Sequence, residues 1–215
     1  MKQVDVLWDS LVDAWDLAVH ERSYINRQQG LHCQDCGCNL RSMALAAWLL
    51  RHLRADGPLS GFVEQKPPPI KLLEINEAGG LTKFLSKLPG HVLATYPNVD
   101  MQNLPYAAGS FDVIVHSDTL EHISDPVQAL SECRRVLRDG GVCAFTVPVV
   151  VDRLTRSTKD RSPSYHGTAD TATEDFKVHT EFGADVWKVV TNAGFREYRL
   201  FSFEYPSALV HVAVN

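Results

Sequence analysis

Short apolar runs alternate with amphipathic segments through most of this sequence, and this alternation predicts an α/β fold. Runs that suit buried strands occupy residues 70–75, 91–95, 111–115 and 142–147. Between the last two runs, Asp125 can cap a helix that begins at Pro126 and ends before the glycine pair 140–141. A strand, a helix and a further strand in this order form a crossover, which pairs the strands in parallel. We therefore predict a mostly parallel sheet with helices on both faces.

The N-terminal part of the chain has a different pattern. Residues 4–19 place apolar side chains at helical spacing with aspartates elsewhere, which predicts one amphipathic helix. Because the polar face is acidic rather than basic, packing on the protein is favoured over packing on a membrane surface. A further helix follows the predicted Asn39 cap, and the stretch 55–69, which contains several prolines and glycines, is typical of a linker. We therefore divide the chain into an N-terminal helical cap, 1–65, and a sheet domain, 66–215.

The net charge and the distribution of basic residues indicate which kinds of partner this chain can bind. The 215 residues carry 21 Lys and Arg and 26 Asp and Glu, a formal net charge of −5, and the basic residues form no dense block. A nucleic-acid backbone is therefore a poor fit, and a small-molecule substrate is expected. No apolar run reaches the length that spans a bilayer, and the first residues lack the apolar core of a secretory signal. We expect a cytoplasmic protein with no membrane or nucleic-acid partner.

Three of the five cysteines, Cys33, Cys36 and Cys38, lie in one loop of the cap. A Cys-x-x-Cys spacing suits zinc, because two thiolates on a tight turn can reach one ion. A structural zinc site has four ligands, and no second cysteine pair follows, so His20 or His32 would have to complete it. Reduced structural cysteines and redox chemistry are the alternatives, and we assign no metal.

The segment from residue 110 to residue 148 resembles a known family. Its sequence, SFDVIVHSDTLEHI followed by DPVQALSECRRVLRDGGVCAFTVP, is similar to the second half of the core of class I S-adenosylmethionine (SAM)-dependent methyltransferases. The resemblance implies a Rossmann-like domain that binds SAM as its cofactor. It also implies that the last strand lies antiparallel between its two neighbours.

The resemblance places the cofactor across the carboxyl ends of the strands. In LEINEAGGL it assigns cofactor contacts to Glu74, Asn76 and Gly80. The family's turn usually reads E-x-G-x-G-x-G, so Asn76 and Ala78 stand here in place of the first two glycines. Glycines at this point let the backbone approach a ligand closely. The cofactor loop of this chain is therefore altered.

The second strand, 91–95, also departs from the family. There the strand normally ends with an acid that holds both ribose hydroxyls, whereas Thr95 or Tyr96 stands at that place here. Only TYPN separates the strand from VDMQNLPY, so the usual third strand and its helix are expected to be missing. By resemblance Asp100 and Met101 contact the adenine, although Asp100 can also simply cap the local turn.

The fourth strand ends in HSDTLEHI. By resemblance Ser117 and Asp118 face the methionine part of the cofactor. Glu121 and His122 match an acid–histidine pair that some relatives use near substrate or metal. We favour a hydrogen-bonding role within the loop, because the further Glu and His that a metal site needs are not evident.

A polar insertion at 149–180 is interpreted as a lid over the carboxyl edge of the sheet. Two of its residues are our catalytic candidates. His166 is a candidate general base near pH 7, and Tyr165 can stack on the substrate or face a sulfonium. Simple solvation of His166 and of His179 is the alternative.

The reaction predicted from these features is methyl transfer from SAM to an oxygen or nitrogen atom of a small molecule. Two alternatives stay open. The altered glycine loop is compatible with an enzyme that acts on SAM itself, by cyclisation or elimination. The missing ribose acid is compatible with a non-catalytic binding module.

Overall fold

The computed structural model describes residues 1–65, 67, 69–161, 163–165 and 174–215. Within these residues the α-helices are α1 (Asp9–Trp15), α2 (Val19–Gly30), α3 (Leu40–His52), α4 (Leu59–Glu64), α5 (Thr82–Leu85), α6 (Pro126–Val136) and α7 (Val186–Asn192). The strands are β1 (Lys2–Gln3), β2 (Leu31–His32), β3 (Leu72–Ile75), β4 (His91–Ala94), β5 (Phe111–Ser117), β6 (Leu137–Thr146), β7 (Val149–Val150), β8 (Arg156–Ser157), β9 (Thr180–Gly183), β10 (Glu197–Glu204) and β11 (Ala208–Val214). Short 3₁₀ turns cover Gly79–Leu81, Leu120–His122 and Glu174–Phe176.

Six strands form the central sheet in the order β10, β11, β6, β5, β3, β4. β3 pairs in parallel with β4 and with β5, and β5 pairs in parallel with β6. β11 lies between β6 and β10 and runs antiparallel to both. The predicted mostly parallel, Rossmann-like sheet is therefore confirmed, and so is the reversed position of the last strand.

Alternate side chains of β5 point into two separate hydrophobic cores. Ile114 packs in the core that contains Leu130 of α6 and Val190 of α7. Val113 and Val115 belong to the core on the opposite face, which contains side chains of α3, α4 and α5. Successive residues of a strand face opposite sides of the sheet, which explains this division. Helices therefore cover both faces, as the sequence predicts.

The helices α3 and α4 are part of the body of the sheet domain. Leu45 and Leu49 of α3 and Val63 of α4 are buried in the same core as Val113 and Leu72. This packing joins residues of the predicted cap to the sheet. The boundary that we placed at residue 65 stays a prediction about where independent folding units meet.

The sheet ends at β4 in the part of the chain that the structure describes. After β4, residues 95–110 continue as turns and bends with neither helix nor strand. The expected loss of the third strand and its helix is thus confirmed for these residues. The shortened connection brings the segment around residue 100 to the carboxyl end of β4.

The single helix predicted for residues 4–19 is wrong. The chain is extended to Trp8, forms α1, and then turns at Asp16, which has a left-handed φ of 51°. Arg153 donates hydrogen bonds to the carbonyl oxygens of Trp15 (2.7 Å) and Asp16 (2.8 Å). These carbonyls lie at a helix end and have no intrahelical donor. A tertiary contact from a distant residue therefore ends the helix where the local pattern alone allowed it to continue.

The first seven residues form an extended arm that is fixed to α2. Val6 and Leu7 donate their backbone N–H groups to the buried Asn26 Oδ1 at 2.8 and 2.9 Å. The Val4 N–H donates to the Gly30 carbonyl at 3.0 Å, next to the pairing of β1 with β2. The arm is consequently held close to the end of α2.

The predicted lid contributes β7 and β8 to a small sheet in the order β7, β9, β8, and β9 begins at the last residue of the lid. β9 pairs in parallel with β7 and antiparallel with β8. The remaining lid residues 162 and 166–173 lie outside the described residues. Of the helices that the structure describes, α3 is the longest at 13 residues, and none has the length and apolar character needed to cross a bilayer.

We expect Gly30→Ala to destabilise the protein through the arm. A Cβ at position 30 would lie 1.8 Å from the Val4 carbonyl oxygen, so the arm must move away. The free energy of unfolding should fall by about 1–3 kcal/mol in chemical denaturation. Gly61→Ala in α4 is the matched control, because its nearest neighbour atoms are those of Pro58 at 3.8 Å or more. The control should be neutral or slightly stabilising, and equal stability of the two variants would contradict the packing of the arm.

Candidate functional site

A cavity of about 500 Å³ lies at the carboxyl ends of β3, β4 and β5, and we name it the strand-end cavity. Asn76 follows β3, Tyr96 follows β4, and Ser117 and Asp118 stand at the end of β5. Ligands of open α/β sheets bind at this edge, because helix and strand connections diverge there and leave a crevice. The strand-end cavity is therefore the candidate cofactor site.

Asn76 shows how the altered glycine loop keeps its shape. Its φ is 53°, in the left-handed region that glycine adopts freely and that asparagine tolerates better than most residues. Its Oδ1 accepts a hydrogen bond from the Tyr96 N–H at 3.0 Å, and its own N–H donates to the Ala94 carbonyl at 2.8 Å. Asn76 thus replaces a glycine without losing the turn and ties β3 to the end of β4.

Glu74 lies behind the wall of the strand-end cavity. Its side chain is fully buried, and Oε1 accepts hydrogen bonds from the Ala78 N–H (2.8 Å) and the Thr82 hydroxyl (2.6 Å). Oε2 is 2.7 Å from Nε2 of His91, at the start of β4. The carboxylate therefore holds the loop from beneath, and it does not line the cavity.

Two other predicted cofactor residues also lie away from the cavity lining. A Cβ at Gly80 would come within 2.8 Å of the Cys38 sulfur and 3.0 Å of its Cα, so this glycine allows the cysteine loop to pack on the cofactor loop. Met101 is 2 % exposed and belongs to the core below the sheet. Asp100 does line the cavity, and its Oδ1 also accepts the Gln102 N–H at 2.8 Å, as a turn cap does.

Four carboxylates line the strand-end cavity: Glu77, Asp100, Asp118 and Asp175. Within the described ranges no lysine or arginine belongs to this lining, and its basic side chains are His122 and His179. A cavity with this charge balance favours a cationic ligand. The positively charged sulfonium and ammonium groups of SAM are complementary to these carboxylates.

Several lining residues escaped the sequence analysis. Glu77 is one of them, and its position two residues after the end of β3 was the signal that could have identified it. Tyr96, which the sequence analysis named only at the place of the missing ribose acid, also lines the cavity. Phe176 and Asp175 lie in a 3₁₀ turn of the lid. Their position at the cavity depends on the fold of the lid, which the sequence pattern does not show.

A second cavity of about 270 Å³ lies beneath the N-terminal helices, and we name it the cap cavity. Its apolar wall consists of Val6, Leu7, Trp8, Leu11, Trp15, Ile25 and Pro148. Gln29 and Arg41 supply polar groups. Asp118, His122 and Phe176 line both cavities, so the two cavities meet at these side chains.

Asp118 and Arg41 form an ion pair at this junction. The Asp118 side chain is 9 % exposed and that of Arg41 is 16 % exposed, and Gln29 donates to Asp118 while it accepts from Arg41. Asp118 has a left-handed φ of 45°, a strained conformation that is often found at functional sites. Burial lowers the pKa of Arg41 to about 10, and attraction by Glu121 acts in the opposite direction. At neutral pH the Arg41 guanidinium therefore stays charged.

His122 connects the end of β5 to the lid. Its Nδ1 lies 3.0 Å from the Lys177 carbonyl oxygen, so Nδ1 carries the hydrogen and the neutral ring has its lone pair on Nε2. The Glu121 carbonyl accepts the His179 N–H at 2.8 Å, and Oε1 of Glu121 is 3.9 Å from Nε2 of His122. These contacts agree with the loop-holding role that we favoured for this acid–histidine pair.

The structure describes one residue of the predicted catalytic pair, Tyr165. Tyr165 forms an antiparallel bridge with Lys177 and belongs to neither lining. His166 lies outside the described residues. Of the histidines named in the predicted lid, His179 is the one that lines the strand-end cavity. The assignment of catalysis to Tyr165 and His166 stays a prediction.

The cysteine loop contains free thiols with different environments. Hydrogen bonds from the Cys36 and Asp35 N–H groups lower the pKa of Cys33, whereas burial raises that of Cys38 to about 12. In the described part of the chain, the group of three ligand atoms that lie within 4.8 Å of one another consists of His20, Glu21 and Asp152, with no cysteine among them.

The comparisons with known proteins agree with this geometry. A family model described as "Methyltransferase domain" matches residues 78–145. The chain is 34 % identical over 110 residues to a probable SAM-dependent methyltransferase of Mycolicibacterium smegmatis, with 49 % of this chain and 38 % of that protein covered. It is 36 % identical over 114 residues to a ubiquinone biosynthesis O-methyltransferase of Cereibacter sphaeroides, with 53 % and 40 % covered. The chain thus spans about two fifths of the length of these relatives.

A solved structure, a SAM-dependent methyltransferase from Mesorhizobium loti, superposes with a TM-score of 0.48 at 13 % identity, with 74 % of this chain and 99 % of that chain covered. The matched segment and these relatives support a class I SAM-dependent methyltransferase with S-adenosylmethionine as its cofactor.

Proposed function

We propose that this chain transfers a methyl group from SAM to an oxygen or nitrogen atom of a small molecule. The observation that carries the proposal is the meeting of two unlike cavities at Asp118, His122 and Phe176. The acidic strand-end cavity suits the cofactor, and the apolar cap cavity suits the acceptor. A methyl group at the junction would lie within reach of both.

The size and walls of the cap cavity support a compact acceptor. Its volume of about 270 Å³ lies just below the range of typical small-molecule pockets, which begins at about 300 Å³. Trp8 and Trp15 offer aromatic surfaces, and the neighbouring aliphatic side chains exclude water. We propose a small, largely apolar acceptor rather than a nucleic acid, and a cytoplasmic location stays our prediction from the sequence.

Methyl transfer from SAM requires mainly that the cofactor and the acceptor are held in the correct relative position. SAM supplies a methyl group that its sulfonium has already activated. The contribution of this chain would be to hold cofactor and acceptor in line, which can lower the barrier by several kcal/mol. Residues of the arm and α1 close the acceptor side, while Asp118 and His122 provide polar groups at the junction.

An assay of the purified chain with methyl-labelled SAM tests the proposal. The label should pass to a hydroxyl- or amine-bearing apolar compound from an acceptor panel, as detected by mass spectrometry. A new product formed from SAM without any acceptor would instead support an enzyme that acts on SAM itself. If calorimetry shows no binding of SAM, the proposed function is wrong.

We expect the conformation of residue 76 to control cofactor affinity. Asn76→Ala should weaken SAM binding on the order of tenfold, because alanine is strained at a φ of 53°. Asn76→Gly also removes the side chain, but it accepts this backbone conformation and should lose less affinity. Titration calorimetry measures both. Equal affinities of the two variants would show that the left-handed turn is unimportant.

We expect the charge of the strand-end cavity to discriminate SAM from S-adenosylhomocysteine, which lacks the sulfonium charge. Glu77→Gln should lower the affinity for SAM roughly two- to fivefold and leave that for S-adenosylhomocysteine nearly unchanged, because an exposed carboxylate acts through a screened field. Glu64→Gln, which changes an acid outside both cavity linings, is the control. An equal loss for both ligands would contradict the electrostatic explanation.

A further inference from the structure

The cysteine loop lies directly against the cofactor loop. A Cβ at Gly80 would come within 3.0 Å of the Cys38 Cα and 3.3 Å of its backbone nitrogen, so the two backbones are in close contact there. The Cys36 carbonyl oxygen accepts a hydrogen bond from Nζ of Lys83, in the helix α5 that follows the cofactor loop. The same loop and helix donate hydrogen bonds to the buried carboxylate of Glu74. A change in the cysteine loop would therefore reach the wall of the strand-end cavity.

The backbone of the cysteine loop is closed by its own hydrogen bonds. The Cys33 N–H donates to the Cys38 carbonyl oxygen at 2.8 Å, and the Gly37 N–H donates to the Cys33 carbonyl oxygen at 2.8 Å. Gly37 has a left-handed φ of 70°, a conformation that glycine adopts without strain. This turn brings the side chains of Cys33 and Cys36 together, and they hydrogen-bond to each other. The two thiols are therefore neighbours in the reduced protein.

The three thiols of the loop differ in access and in acidity. Cys33 and Cys36 are partly exposed, whereas Cys38 is 4 % exposed. Hydrogen bonds from the N–H groups of Cys36 and Asp35 lower the pKa of Cys33, which favours the thiolate that attacks a disulfide. Burial raises the pKa of Cys38 to about 12, so this thiol stays protonated at neutral pH. Cys33 is therefore the accessible nucleophile, and Cys36 is the thiol placed to react next.

The arrangement suits disulfide exchange better than a preformed metal site. In the described part of the chain, the group of three ligand atoms within 4.8 Å of one another contains no cysteine. A structural zinc site needs four ligands, whereas a disulfide needs two thiols. The contact between the Cys33 and Cys36 side chains meets the second requirement.

We propose that Cys33 and Cys36 form a redox-active dithiol whose oxidation to a disulfide loosens the cofactor loop and thereby weakens SAM binding. The oxidant is a low-molecular-weight disulfide such as glutathione disulfide. The Cys33 thiolate attacks it and releases one glutathione thiolate, which leaves a mixed disulfide on Cys33. The Cys36 thiolate then attacks the Cys33 sulfur and releases the second glutathione. The cysteine pair loses two electrons and two protons, and the oxidant takes them up as two thiols.

The disulfide acts on the cofactor loop through Cys36 and Cys38. Bond formation draws Cys36 toward Cys33, because bonded sulfurs are about 2.0 Å apart, closer than any hydrogen-bonded pair. This movement displaces the Cys36 carbonyl that accepts from Lys83 and the Cys38 backbone that packs on Gly80. The inference rests on the proposed function for its effect on SAM, whereas disulfide formation and loop opening are measured without SAM.

Disulfide formation is measured first. The purified full chain is equilibrated in glutathione buffers of graded composition, the remaining thiols are alkylated, and peptide mass spectrometry locates the bond. The unmodified chain should form the Cys33–Cys36 disulfide. Cys36→Ser should stop at a persistent glutathione adduct on Cys33, because the second thiol is missing. Cys38→Ser is the matched control and should still form the disulfide.

Titration calorimetry then compares the two redox forms of the unmodified chain. SAM should bind the disulfide form about fivefold more weakly than the dithiol form, a coupling at the lower end of the usual range. By linkage, saturating SAM should shift the glutathione equilibrium toward the dithiol by the same factor. Cys33→Ser should bind SAM as the reduced unmodified chain does in both buffers, which also shows that the variant is folded.

Hydrogen exchange of residues 76–85 follows the cofactor loop without SAM and should be faster in the disulfide form. The inference is overturned if no Cys33–Cys36 disulfide forms, if zinc retained by the purified chain protects these thiols, or if both redox forms show equal hydrogen exchange or bind SAM equally. A disulfide that speeds hydrogen exchange in a chain that binds no SAM would refute the proposed function and uphold the redox control of the loop.

Discussion

The buried carboxylate of Glu74 holds the wall of the cofactor cavity in place. A charge without partners in the interior costs several kcal/mol, so Glu74 can be buried only while its partners stay in position. Those partners are the Ala78 N–H, the Thr82 hydroxyl and the His91 ring. They lie on the loop, on the following helix and on the neighbouring strand. One acid therefore couples three elements, and the cavity edge depends on that coupling more than on any glycine.

The two cavities differ in chemistry because different parts of the chain build them. Loops at the carboxyl ends of parallel strands line the strand-end cavity with acids, while the amphipathic arm and α1 turn apolar side chains toward the cap cavity. Asp118 belongs to both linings and pairs with Arg41 of α3. The left-handed backbone of Asp118 aims its side chain toward the cap. A strained residue at the end of β5 thus lies at the boundary between the two cavities.

The N-terminal segment contributes to the site as well as to the fold. Its helix α3 is packed against the sheet, so Arg41 is held by the same core that supports β5 and β11. The arm before α1 is fixed by Asn26, which makes the outer wall of the cap cavity depend on α2. Arg153, which follows β7, in turn fixes the end of α1. The cap cavity is therefore assembled from segments that are far apart in the chain.

The sequence by itself determined the layered α/β fold, because strand and helix periodicities and turn residues are local properties. The reversed last strand and the shortened second unit were implied by the resemblance to the methyltransferase family. The resemblance also identified Asn76, Asp100, Ser117 and Asp118, and all four line the cavity in the structure. Only the tertiary structure decided that α1 ends near Asp16, and that Arg41 meets Asp118. Those outcomes depend on contacts across 137 and 77 residues of chain, and periodicity carries no information about which distant side chains meet.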